Sequence, residues 1–527
     1  MTAITRRSLL KGTLATAVAA GVCPSRLWAQ AVEPRPLPIP ELIDARRQGN
    51  ALALRAETGR TAFFPGRASA TRGFNGSYLG PTLRIHQGDE VELAVTNAMP
   101  DATAVHWHGL LVPAESDGGP HQPVEPGSTW RPRIRVDQPG ATLWYHAHVH
   151  GDTARQVYEG LAGMLLLADE AKERDLGLPS EYGVDDIPLV LQDKLFEDGR
   201  LVYPVHPLFM MQGVRGATVL VNGAANPVAR VPAGLVRLRL LNGANARVFD
   251  LSFSDGRTFH WIASDAGLLE RPVERRSLWL APGERAELLV DFSDGRATAL
   301  RTGPDPTLAR GMMGEMGMMG MGGRAEPLDA AASILALEPR PRYRNAPPVR
   351  VPDRLVELER VNPAKAVRRR QLRLTMGCCG MEGGGMEHGM ARGGMEPGMM
   401  GRGMGPPGGG MMGRGMGMRG MFGINGRPFE LERIDLTVRF GDTEIWEVSG
   451  DAMPHPFHIH GVHFEVLSRA GSPPTIADQG MKDTVLVQER VELLVRFDWP
   501  AVNAPFVYHC HILEHEEGGQ MGQYKTV

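Results

Sequence analysis

Three stretches far apart in the chain share one pattern, and a recurring pattern limits the fold more than any local propensity does. "TLRIHQGDEVELAVTN" (82–97), "VARVPAGLVRLRLLNG" (228–243) and "LTVRFGDTEIWEVSG" (436–450) each show an alternating strand, a glycine turn and a second alternating strand. The turn glycines Gly88, Gly234 and Gly441 are separated by 146 and 207 residues, and both methionine- and glycine-rich stretches fall inside the longer interval. Three similar β-sandwich domains, with insertions between the second and third strand pairs, explain that spacing. Elsewhere short alternating runs are bounded by Gly, Pro, Asp and Asn, and no long helical pattern competes with them. The chain is therefore expected to be all-β, with sandwiches over 32–168, 185–340 and 350–527. The polar "ADEAKERDLGLPSEYGVDD" separates the first two and the Pro-rich "EPRPRYRNAPPVRVPD" the last two.

The N-terminus reads as an address. "TRRSLLKGTLATAVAAGV" places Arg6 and Arg7 before an apolar run too short to span a bilayer. This is the pattern of a twin-arginine export signal over 1–31, with the small residues of "AQA" (Ala29 to Ala31) for cleavage. It implies the twin-arginine export machinery as a partner, a periplasmic destination, a folded cargo and no stable membrane anchor. A net charge of −3 without a basic stripe argues against nucleic acid. Cys23 lies inside the signal. Cys378, Cys379 and Cys510 then remain, an odd number that argues against a disulfide framework.

Residues 376–421 hold 13 of the 27 methionines and 312–321 hold six more, nearly all set among glycines. Such segments cannot build a core. They define insertions over 303–326 in the second domain and 376–421 in the third. A plain tether needs no thioethers, and exposed methionine is vulnerable in an oxidising compartment unless it binds something. Thioether sulfur selects Cu(I), and Cys378, Cys379 and the His388 of "MEHGM" add to the same soft surface.

Ten of the 17 histidines sit in four short clusters: "HWH" (His106, His108), "HAH" (His146, His148), "HPFHIH" (His455, His458, His460) and "HCHILEH" (His509, His511, His515). Alternate side chains on a strand share a face, so each HxH pair can offer one imidazole to each of two neighbouring ions. Cys510 points away from His509 and His511, and His455 stands at odd spacing from His458 and His460. Cys510 and His455 can thus meet on one side, joined by His515, while the other eight histidines gather opposite. The first group is a His2Cys set suited to a mononuclear copper; the second is large enough for three ions. Structural zinc would call for closed sets of four with CxxC spacing, which are absent outside the methionine-rich region.

These four clusters, in this order, resemble the multicopper oxidase family, over essentially the whole mature chain. The resemblance implies three cupredoxin-like Greek-key sandwiches and four coppers. By it, His455, Cys510 and His515 would hold a type 1 copper, and His106 and His458 the type 2 copper. His108, His146 and His511 would hold one type 3 copper, and His148, His460 and His509 the other. Electrons from a reductant would pass through Cys510 to a cluster that reduces O2 to water. Within the family the export signal, the third-domain insertion, "HAHVHGDTARQVYEGLAGML" and "DAMPHPFHIHG" are most similar to bacterial copper efflux oxidases. Asp451 and Met453 match ligands of a substrate Cu(I), and Asp117 and Glu516 match acids that relay protons to oxygen.

One position departs from those relatives. Ten residues after Cys510, where a methionine is expected as axial ligand, stands Gln520, with Met521 beside it. Gln520 is expected to be axial and, as a harder donor, to lower the potential; a slip of one residue would restore Met521. His150 is expected beside the cluster, and His86, His121, His206, His260 and His463 are expected to be structural. The leading function is oxidation of Cu(I) for copper tolerance by a monomer that consumes O2. A laccase-like oxidase of phenols or other metal ions, and a Cu(I)-sequestering protein, are the alternatives.

Overall fold

The computed structural model describes residues 35–308, 331–341, 350–377 and 421–527. The expected export signal, the 312–321 stretch, Cys378, Cys379, His388 and nearly all of 376–421 lie outside the described residues. Within them the chain is all-β, as expected: six sheets face one another in pairs around three hydrophobic clusters. The first pair is formed by strands between Leu42 and Ala168, the second by strands between Asp186 and Arg340, the third by strands between Arg368 and Thr526. No helix among the described residues is long and apolar enough to cross a membrane.

The repeat has a structural meaning that alternation alone does not give. Thr82–His86 and Glu90–Asn97 lie in different sheets, as do Val228–Pro232 and Leu235–Asn242, and Leu436–Val438 and Thr443–Gly450. Each glycine turn therefore carries the chain across a sandwich rather than closing a hairpin. Gly88 and Gly441 make that turn with φ of 85° and 83°, where a side chain would be strained. Gly234 turns without left-handed backbone.

The sandwiches are bound by buried charge as well as apolar surface. The polar linker carries a short helix, Glu170–Asp175, whose Glu173 accepts from Arg237 at 2.9 Å and Arg239 at 3.2 Å. Both arginines also reach Glu287, and Glu287 accepts from Thr142 of the first sandwich at 2.7 Å. Leu37, ahead of the first sheet, and Leu355, after the second sandwich, are both buried in the middle core. These ties fix the first and third sandwiches against the second, and so fix the faces that carry the histidines.

Candidate metal centre

Strands His455–Ile459 and Phe506–Cys510 pair antiparallel in the third sandwich, with His458 opposite His509 and Phe457 opposite Cys510. Alternation then puts His458 and His509 on one face and Cys510 on the other. In the first sandwich His106 pairs with His146 across strands Val105–His106 and Ala141–Ala147. His108, His148, His460 and His511 stand just beyond the strand ends yet keep the side that alternation assigns. The result is eight imidazoles, four from each of two sandwiches, all at most 1 % exposed.

Their ring nitrogens converge in the three groups expected. His108, His146 and His511 form one set; His148, His460 and His509 form another; His106 and His458 face each other with Nε2 atoms 3.4 Å apart. In the second set His509 Nε2 lies 3.3 Å from His148 Nε2 and 3.2 Å from His460 Nε2.

The outward nitrogens explain why the inward ones are bare. His106 Nδ1 donates to the Asp117 carbonyl at 3.0 Å, His458 Nδ1 to the Asp483 carbonyl at 2.8 Å, and His460 Nδ1 to Asp117 Oδ2 at 2.6 Å. His146 Nδ1 and His509 Nδ1 donate to the carbonyls of Ala147 and Cys510. His108 is turned the other way: Nε2 donates to Asp483 Oδ1 at 3.1 Å and Nδ1 faces the site without a partner. A neutral imidazole that gives its one N–H outward turns a lone pair inward. Lone pairs 3.2–3.4 Å apart repel one another unless a cation sits between them. Burial, reinforced by neighbouring histidines, holds His108, His146, His458 and His460 well below the ordinary imidazole range, so they stay neutral and able to ligate.

On the opposite face Cys510 Sγ lies 3.5 Å from His455 Nδ1 and 3.7 Å from His515 Nδ1, and those two nitrogens are 3.3 Å apart. His455 Nε2 donates to the Asp451 carbonyl at 3.0 Å and His515 Nε2 to the Met211 carbonyl at 3.1 Å, again leaving the inner nitrogens bare. Burial pushes the Cys510 thiol well up, so only a bound cation would keep it as thiolate. Gln520 is fully buried; its Nε2 donates to the Thr375 carbonyl at 3.1 Å, and its Oε1 has no hydrogen-bond partner. The same carboxamide raises the basicity of both His455 and His515, which places it in their pocket. Met521 instead packs against Phe429 and Val507. The His2Cys set and the eight imidazoles thus fit copper in both donor type and orientation.

Comparison with known proteins agrees with this donor set. Models of the multicopper oxidase family match residues 56–172 and 406–527. The chain is 37% identical to the structure of a laccase-like multicopper oxidase, CueO, from Ochrobactrum sp., which covers 93% of this chain and 100% of that one with a TM-score of 0.78. The chain belongs to the multicopper oxidase family. A laccase structure from Pediococcus acidilactici is 31% identical, with 94% of each chain covered and a TM-score of 0.74. A curated relative, the cell division protein FtsP of Rahnella sp., is 37% identical over 98% of both chains. The relatives therefore carry quite different roles, and this chain's own ligands must decide its chemistry.

The acids expected near the site are there. Asp117 bridges His106 and His460 as described, is 2 % exposed, and leaves Oδ1 without a partner. Glu516 brings its oxygens to 3.1 Å from His509 Nδ1 and 3.5 Å from His148 Nδ1. Asp451 accepts from Arg373 Nε at 2.7 Å, and Met453 packs against Cys510, Ala246 and Ile512. His150 is a correction: it is exposed and lies against Phe429, because the strand ends at Ala147 and alternation does not carry that far. His86 binds Asp44 and His121 binds Gln523, while His463 binds the carbonyl of Gly109, next to His108, and none of the three joins a ligand group. Sequence reasoning missed Asp483, which orients two ligands; a lone aspartate in "KDTVLV" carries no spacing signal.

Proposed function

We propose that this chain is a copper-dependent oxidase that takes electrons from Cu(I) and delivers them to O2, as part of periplasmic copper tolerance after twin-arginine export. The reaction balances as four Cu(I), one O2 and four protons giving four Cu(II) and two waters. The observation that carries the reading is the convergence of eight imidazoles on one face of the strand that ends at Cys510, and of Cys510, His455 and His515 on the other. Copper, when bound, supplies one-electron acceptance at the His455–Cys510–His515 group and reduction of O2 at the eight-histidine group. Cys510 and its neighbours His509 and His511 then form a covalent bridge between the two groups. Glu516 and Asp117 place carboxylate oxygens within 3.5 Å of imidazole nitrogens, where they can take up and pass on protons.

Cu(I) as the electron donor is supported by what borders the mononuclear group. Asp451 and Met453 offer a carboxylate and a thioether beside His455 and Cys510. The described flanks of both methionine-rich stretches also end there. Met376 pairs with Phe422, the Phe422 ring stacks on His515 at 4.4 Å, and Gly377 N–H donates to the Met421 carbonyl. Asp305 and Thr307, just before the other stretch, hold Arg215, which binds the Gln212 carbonyl next to Met211. A laccase-like role is the second reading, favoured by the Ochrobactrum relative, which has oxidase activity towards lignin model compounds. A role in cell division or in Cu(I) storage would leave the eight-histidine group without work. Oxygen uptake on adding Cu(I), compared with a phenol on the same preparation, tests the proposal. Four Cu(I) consumed per O2 is expected; phenol turnover without Cu(I) turnover would favour the laccase reading, and no uptake with either would remove the oxidase.

A further inference from the structure

Among the described residues the middle sandwich contributes no ligand to either group, yet one of its side chains touches all three sandwiches beside the eight histidines. Arg285 opens strand Arg285–Asp291 and is 1 % exposed. Its Nε donates to the Thr142 carbonyl of the first sandwich at 3.1 Å. Its two terminal nitrogens donate to the Gly283 and Asp265 carbonyls of the second at 2.8 and 2.9 Å, and to Asp483 Oδ1 and Oδ2 of the third at 2.8 and 2.5 Å. A guanidinium has five N–H donors, and every one is used. Thr142 lies on the strand that carries His146, and Gly283 passes so close to His511 that a Cβ there would meet the ring at 2.9 Å.

Asp483 is what that fork holds. Its Oδ1 accepts from His108 Nε2 at 3.1 Å and from Thr484 Oγ1 at 2.9 Å, and its carbonyl accepts from His458 Nδ1 at 2.8 Å. One residue thus sets the ring orientation of a ligand in each of two metal groups. His108 is the one that presents Nδ1, an orientation that depends on its Nε2–H having a fixed acceptor. A free carboxylate in this dry site could rotate and would carry an uncompensated charge; a bidentate arginine removes both freedoms.

We propose that Arg285 is a positioning residue through which the ligand-free middle sandwich sets the geometry and copper affinity of the eight-histidine group, acting on His108 and His458 by way of Asp483. This rests on copper occupying those histidines, so the wild-type chain is the control: a wild type that takes up no copper overturns the copper reading and this proposal with it, whereas a wild type that loads and variants that match it overturn this proposal alone. Arg285→Lys keeps the charge but not the fork. Asp483→Asn keeps the shape and an acceptor for His108 but not the ion pair. Full-length protein of each variant, reconstituted with copper, would be challenged with a graded series of chelators. Copper per chain, the charge-transfer colour of Cys510 and the electron paramagnetic resonance splitting of the type 2 signal would be followed. The expected result is about 10–100-fold weaker retention at the eight-histidine group with a changed splitting, and a Cys510 colour and retention equal to wild type. Equal loss from both groups, no loss from either, or failure of both variants to yield a folded chain with the Cys510 colour would overturn the proposal, because each assigns Arg285 to general stability or to nothing.

Discussion

The Cys510 group and the eight-histidine group are built on opposite faces of the same strand, but they are assembled differently. His455, Cys510, His515 and Gln520 all come from the third sandwich, with the Met211 carbonyl as an outside contact. The other group has four imidazoles from each of the first and third sandwiches and is pinned by the middle one. The mononuclear group can therefore form wherever one sandwich folds, whereas the larger one exists only when an interface is correct. Cys510→Ser attacks the single link between them. It is expected to abolish the charge-transfer colour and lower Cu(I)-dependent O2 uptake well beyond the roughly 100-fold that loss of an outer hydrogen-bond partner costs, while copper in the eight-histidine group is retained. Loss of copper from both groups would show that they do not assemble independently.

Glu516→Gln acts on the larger group alone. Burial would push this carboxyl up, but His148 and His509 beside it hold it at about 2, so at neutral pH it is ionised and can accept a proton for O2 reduction. Removing that capacity is expected to slow turnover about 100-fold, the lower end for a positioned acid–base group. Reduction of the Cys510 group by Cu(I), followed without O2 by loss of its colour, should be unchanged. A slowed reduction would place Glu516 in the path of electrons instead.

The contrast also explains how much could be read from the sequence. Alternation sorted Cys510 and His455 from the other histidines because their strand is regular, and the cross-strand register of His458 with His509 confirms that face. It failed at His150, three residues past the end of its strand, where no ladder holds the side chain to a face. The three sandwiches were legible from the turns at Gly88, Gly234 and Gly441, but that each turn crosses between sheets was not, since a hairpin and an arch share the same alternation. Arg285 and Asp483 were invisible for a different reason. They are 198 residues apart, and nothing local marks an arginine whose five donors are all consumed by tertiary partners.

Protonation separates the two groups next. His148 and His511 are lowered to about 3 and His455 to about 4, chiefly by burial. An unfolded imidazole takes a proton below about 6.5 while these folded ones do not, so the unfolded state binds more protons in that window and stability falls with pH. The copper-free chain should thus lose thermal stability steadily from about pH 6.5 towards pH 4. At neutral pH the same histidines have no proton to release, whereas the buried Cys510 thiol has one. Copper titration in buffers of different ionisation enthalpy is expected to show about one proton released per chain, assigned to the mononuclear group and absent in Cys510→Ser. Proton release spread over every copper would mean that the imidazoles are protonated before binding.

The smallest expected effect is confined to one atom of the mononuclear group. Gln520 Oε1 is buried without a partner because Nε2 is committed to the Thr375 carbonyl, so the amide cannot flip without losing that bond. An oxygen donor favours Cu(II) over Cu(I) more than a thioether does, so Gln520→Met should raise the potential of this group and leave the eight-histidine group untouched. Met521→Leu should do neither, since Met521 packs towards Phe429 and Val507. A redox titration followed by the Cys510 colour measures both variants. If Met521→Leu shifts the potential and Gln520→Met does not, the residue that would complete the donor set is the next one along. A lower potential in the wild type suits a donor that is itself a weakly held Cu(I) ion more than a phenol, so this one substitution also weighs the two substrate readings: a Gln520→Met chain that gains phenol turnover while Cu(I) turnover holds level would tie substrate choice to the side chain at 520.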